Sequence, residues 1–213
     1  RATAAFEVAG TRYPAGSFVV KTAQAFRPHV LDMFEPQDHP NVFPVPGGPP
    51  TPPYDVAGWT PAFQMGVVVD RILQPLDGPF EAVTEWNVTP PAGSIRPLSV
   101  TTVQAAHLVA RPRQNDAATA INRFFAAGDR VRRLSDGSMA VRLGPGTRDR
   151  ARQIAADLGV SFSELGDGGV FATDIARPRI GLWDQYGGSM PSGWTRWILE
   201  QFEFPFQIVT VDQ

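Results

Sequence analysis

Apolar residues recur at helical spacing in three places in the second half of the chain. Ala117, Ala120, Ile121, Phe124 and Phe125 fall on one face of a segment that Asn115 or Asp116 can cap and Gly128 can end. Ala151, Ile154, Ala155 and Leu158 do the same over residues 147–158, with Gly159 as the stop. Trp194, Trp197, Ile198 and Phe202 mark a third helix, opened by Ser192 or Gly193, whose two Trp are expected to pack on a sheet. Short apolar runs with strand character lie between these helices, at 107–110, 130–134, 139–143, 161–165, 179–183 and 207–211. Strands alternating with helices predict an α/β fold of βαβ units, with right-handed crossovers and a mostly parallel sheet. The last unit ends on a strand, so further elements, or another chain, are expected to complete the sheet.

The first half is patterned differently. Two short strands, 6–8 and 11–13, flank a turn at Ala9-Gly10, and 17–21 reads as a third strand. Pro28 suits the first turn of a short helix running to Phe34. The stretch 44–53, with six prolines and two glycines, cannot be helix or central strand, and reads as an extended connector. Beyond it, 66–71 reads as a buried strand. The expected division is a mixed α+β part over 1–95, containing the Pro-rich connector, and an α/β part over 96–213.

Composition narrows the function classes. The chain has 213 residues, 43% of them apolar, which is ordinary for a globular protein. A net charge of −2 gives no field to steer it onto nucleic acid or an anionic membrane. No apolar run approaches the length of a transmembrane helix. Without cysteine, the chain has no disulfide, thiolate zinc site or cysteine nucleophile. The chain opens at Arg1 with no leader pattern, and the expectation is that it begins inside a longer polypeptide.

Candidate chemistry is sparse. His29 and Asp32 lie three apart on the first helix and are the weak metal candidates; a lone His on a short helix is more often a surface or structural residue. No G-x-S-x-G nucleophile elbow is present, and Gly144-Pro145-Gly146-Thr147 lacks the length and lysine of a phosphate loop. Arg148, Arg150 and Arg152 read as solvated. A loop at the carboxyl end of a parallel strand is where such folds bind ligands, which singles out 183–191 with Trp183, Asp184, Tyr186 and Ser189. The plain alternative is a glycine-rich turn feeding a helix. Trp59 and Asp55, after the connector, fit a ligand cleft or a packed loop.

Several blocks resemble a known family. The run 13–20 (Tyr-Pro-Ala-Gly-Ser-Phe-Val-Val), then Gly47-Gly48-Pro49-Pro50, Pro52-Pro53-Tyr54-Asp55-Val56-Ala57-Gly58-Trp59-Thr60 and Gln64-Met65-Gly66-Val67, resembles the region after the peptidase domain in large bacterial zinc carboxypeptidases. The closing blocks Arg179-Ile180-Gly181-Leu182-Trp183 and 193–202 (Gly-Trp-Thr-Arg-Trp-Ile-Leu-Glu-Gln-Phe) are similar to the start of a class I glutamine amidotransferase-like part. The resemblance implies a flavodoxin- or amidotransferase-like sheet. It also implies a periplasmic or extracellular parent hydrolase acting on peptides.

No catalytic residue carries over. The family's His-x-x-Glu motif, its zinc and its general base belong to an upstream domain, so no cofactor is expected in this chain. The amidotransferase-like part has no nucleophilic Cys. The resulting expectation is a non-catalytic accessory region. Its partner is the upstream peptidase domain or another chain of the same protein. The alternative is a stand-alone small-ligand-binding module.

Overall fold

Backbone contacts in a computed structural model group the chain into two compact units, Arg1–Val88 and Thr89–Gln213. The structure describes residues 1–36, 41–52, 60–85, 88, 91–99, 104–167 and 172–210. In the first unit, strands β1 (Phe6–Val8) and β2 (Thr11–Tyr13) pair antiparallel. Ala9 and Gly10 both take positive φ, 50° and 78°, as a tight two-residue hairpin turn requires. Phe6 stacks on Tyr13 with ring centroids 5.1 Å apart and meets Phe80 edge-on at 5.0 Å. The Tyr13 hydroxyl donates to Asp70 at 3.0 Å. Helices α1 (Arg27–Phe34) and α2 (Pro61–Gln64) each carry a proline in the first turn.

Two expected strands of this unit do not form. Residues 17–21 and 66–71 are irregular, and Val68 is 90% exposed. A β-branched run becomes a strand only when a neighbour supplies the hydrogen-bond ladder, and no described strand pairs with either segment. Among the described residues of this unit, the buried apolar side chains are Ala2 and Ala62 alone.

The second unit is built on β3 (Ile95–Arg96), β4 (Ala105–Ala110), α3 (Asp116–Ala126), β5 (Val131–Leu134), β6 (Met139–Arg142), α4 (Thr147–Leu158), β7 (Phe162–Gly166) and β8 (Ala172–Ile175). It continues through β9 (Ile180–Trp183), α5 (Met190–Gln201) and β10 (Phe206–Val209). The first six of these strands form one sheet in the order β3-β7-β4-β6-β5-β8. This sheet corrects the expectation of a mostly parallel, flavodoxin-like arrangement. Only β3–β7 is parallel; β4–β7, β4–β6, β5–β6 and β5–β8 are antiparallel.

The reason lies in the interleaving. β4 and β5 do run parallel and are joined through α3, but β6 lies between them. β6 and β7 likewise run parallel through α4, with β4 between. Two βαβ units interlocked in this way make a split βαβ sheet whose neighbouring strands are antiparallel. The fold is therefore mixed α/β. A separate parallel pair, β9–β10, is joined through α5.

Side chains pointing to one face of the six-stranded sheet meet α3 and α4. Leu108, Val131, Val141 and Phe162 pack there with Ala120, Ile121, Phe124, Ile154 and Ala155. Phe124 and Phe162, both fully buried, meet edge to face at 5.8 Å and 82°. Gly159 ends α4 in the left-handed conformation, φ 67°. Nearby, the chain leading into β3 passes close to it. Gly93 donates its N–H to Ala155 O at 2.7 Å, and a Cβ at Gly93 would lie 2.1 Å from Val160 O.

Phe124→Ala should cost about 3–5 kcal/mol, because it empties the centre of this core. Gly93→Ala should cost about 1–3 kcal/mol, because the β3 approach must move away from the end of α4. Urea unfolding followed by far-UV circular dichroism checks both.

Candidate functional site

The loop 183–191 follows β9, and its polar side chains are engaged in its own turn. The Asp184 carboxylate accepts from the Gln185 N–H at 2.9 Å, and Gln185 Nε2 donates to Gly188 O at 3.3 Å. Gly187 and Gly188 both take positive φ, 86° and 79°. Ser189, with extended backbone, is the N-cap of α5, and its hydroxyl accepts from the Ser192 N–H at 3.3 Å. The helix therefore begins at Met190, two or three residues before the expected start at Ser192 or Gly193. Short polar side chains that bond the local backbone shape turns of this kind.

The aromatic residues of the same region do the opposite. Trp183 is exposed, Tyr186 is fully exposed, and Met190 is exposed as well. Trp194 and Trp197 meet edge to face at 6.0 Å, yet are 62% and 51% exposed. They do not pack on the sheet, contrary to the expectation from their spacing. A two-stranded sheet is too narrow to cover a helix that carries apolar residues on more than one side. The result is an aromatic surface formed by α5 and the end of β9, with Ile198 also exposed.

This surface is tied to the body of the unit through α3. Buried Asn122 donates from Nδ2 to Phe202 O at 2.7 Å, just past α5. Arg123 grips both carboxylate oxygens of Glu203, at 2.8 and 3.1 Å, and reaches Asp157 of α4 at 3.4 Å. Bidentate pairing of this kind fixes orientation as well as distance. Glu203 takes a left-handed φ of 55° and so turns the chain sharply towards β10.

The other candidate residues are dispersed. His29 and Asp32 are both exposed on α1. No group of three His, Cys, Asp or Glu among the described residues can hold a metal ion. Asp55 and Trp59 lie outside the described residues. Arg148 and Arg150, expected to be solvated, are tied down. Arg148 pairs with Glu164 of β7 and holds its carboxyl below the usual range, while Arg150 pairs with Asp129 at 2.8 Å. Arg152 bonds Asp149 one turn back at 2.5 Å. A cavity of about 450 Å³ lies beside these residues, lined by Ala105, Leu143, Gly144, Gly146, Arg148 and Asp149 among others. Its charged side chains are already paired, Arg148 with Glu164 and Arg152 with Asp149.

In the sequence His107 is legible only as a strand residue. It is 4% exposed at the middle of β4, on the face away from α3 and α4, with Asp167 3.8 Å from Nδ1. The available signal was period-two alternation, which sets His107 opposite its core neighbour Leu108.

The class these features define is a mixed α/β protein with an interleaved, mostly antiparallel six-stranded sheet and an appended parallel βαβ unit. No helix among the described residues is long and apolar enough to cross a membrane. No protein-family model, curated protein or solved structure matches the chain.

Ser189→Ala should cost about 1 kcal/mol through loss of the cap. Tyr186→Ala should change stability by less than about 0.5 kcal/mol, because the ring touches nothing that folding orders. Denaturant titration of the two variants separates the turn-forming side chains from the projecting ones.

Proposed function

We propose that this chain is a non-catalytic accessory region of a zinc metallocarboxypeptidase-like hydrolase. In this reading it acts by docking on the peptidase domain, upstream or in another chain of the same protein. The observation that carries the reading is apolar surface that folding alone leaves uncovered. In the first unit Phe18, Phe26, Phe43, Phe63, Val68 and Leu73 are exposed, against two buried alanines. In the second unit the exposed apolar residues include Trp183, Tyr186, Met190, Trp194, Trp197 and Ile198, beside a parallel strand pair. Parallel sheets are ordinarily covered on both faces, and large exposed apolar patches mark protein contacts. The resemblance of the blocks at 13–20, 47–50, 52–60, 64–67, 179–183 and 193–202 suggests the parent and, through it, a periplasmic or extracellular setting.

Zinc would then reside in the peptidase domain, and the peptide substrate would be cleaved there. This chain would contribute surface, placing the peptidase and its substrate relative to one another. The purified chain should hold no stoichiometric zinc after dialysis against the metal, and should release no C-terminal residue from a panel of peptides. Stoichiometric zinc by elemental analysis, lost in His29→Ala, would contradict the reading and make the α1 pair a metal site.

A further inference from the structure

Two arginines, a buried histidine and a shared carboxylate converge where β4, β5 and β6 meet the end of β7. His107 lies opposite Arg142 in the β4–β6 register and opposite Leu165 in the β4–β7 register. Asp167, one residue past β7, sits 3.8 Å from His107 Nδ1. Arg142 already holds that carboxylate, with N–O distances of 3.1 to 3.3 Å. From β5, Arg132 faces the same space and pairs with Asp174 of β8 at 2.9 Å. His107 Nε2 has no hydrogen-bond partner among the described residues. The cavity beside it holds about 10 Å³, room for about one water molecule. The charged pair Arg148–Glu164 lies on the helix-covered face, on the other side of the sheet.

We propose that His107 is an acid-sensitive latch: neutral, it packs in β4 beneath the Arg142–Asp167 pair; protonated, it draws Asp167 from Arg142 and loosens the end of β7 from β6. A neutral imidazole fits the site as it stands. A protonated one adds a third cation to the face that already carries Arg142 and Arg132, with the Asp167 carboxylate to share with Arg142. Desolvation by burial holds His107 below the ordinary histidine value; Asp167 opposes this, and Arg142 and Arg132 act with it. The unfolded chain titrates near the ordinary value of about 6.5 and binds the proton first. Stability from this residue is therefore full above that pH and is lost as pH falls from there towards the lower folded value. Asp167, held below its usual range chiefly by the Arg142 hydrogen bond, loses its contribution only at still lower pH.

The test is thermal unfolding of the chain between pH 7.5 and 5.0, with His107→Gln and His29→Gln. The wild type and His29→Gln should lose at least about 3 °C more across this range than His107→Gln, a shift well within reach of one buried titration. Nitrogen-detected imidazole titration of the wild type provides the second readout, which does not depend on the folding of a variant. His107 should titrate below the ordinary value, and the Arg142 guanidinium signals should move with it. Parallel melting curves for wild type and His107→Gln, or a His107 titration that leaves Arg142 unmoved, would overturn the latch.

Discussion

The apolar sides of α3 and α4 have one surface to cover, and the second unit is arranged around that requirement. Phe124 must reach Phe162, which brings the first helix over the last strand of the interlocked units. Leu108 and Val141, fully buried on β4 and β6, fill the space between. With β4 at the centre, β6 and β7 must flank it. Each helix then spans a strand that belongs to the other unit. The same arrangement frees the alternate residues of β4, β5 and β6 to face away, which is how His107, Arg132 and Arg142 come together.

Local pattern made much of this legible. The helices at 116–126 and 147–158 follow from apolar spacing and glycine stops. Leu108, Val141 and Phe162 sit in the short apolar runs 107–110, 139–143 and 161–165 that read as strands. Sheet direction was not legible, because a strand–helix–strand pattern states that two strands run parallel but not that they are neighbours. The insertion of β6 between β4 and β5 leaves no local trace. Residues 17–21 and 66–71 have strand composition and lack a partner strand among the described residues, a property of the tertiary structure. Trp194 and Trp197 show the same limit from the other side. Helical spacing places them near one another, and only the width of the β9–β10 pair leaves them uncovered.

The candidate site divides along similar lines. Position after a strand drew attention to 183–191, and the structure separates its side chains into two kinds. Asp184 and Ser189 bond the backbone and shape the turn, while Trp183 and Tyr186 project. A surface of aromatic side chains on a narrow parallel sheet, anchored by Asn122 and Arg123, has the composition of a contact patch more than that of a reaction centre. In the accessory-region account, α5 and its two strands form a layer whose second side is supplied from elsewhere.

Amide hydrogen exchange of the isolated chain tests that account most directly. If β9, α5 and β10 await a covering partner, their amides should exchange through local opening far faster than those of β4, β6 and β7, which open only with the whole unit. Equal protection across both sets would show that the parallel layer is complete by itself, and would contradict the account.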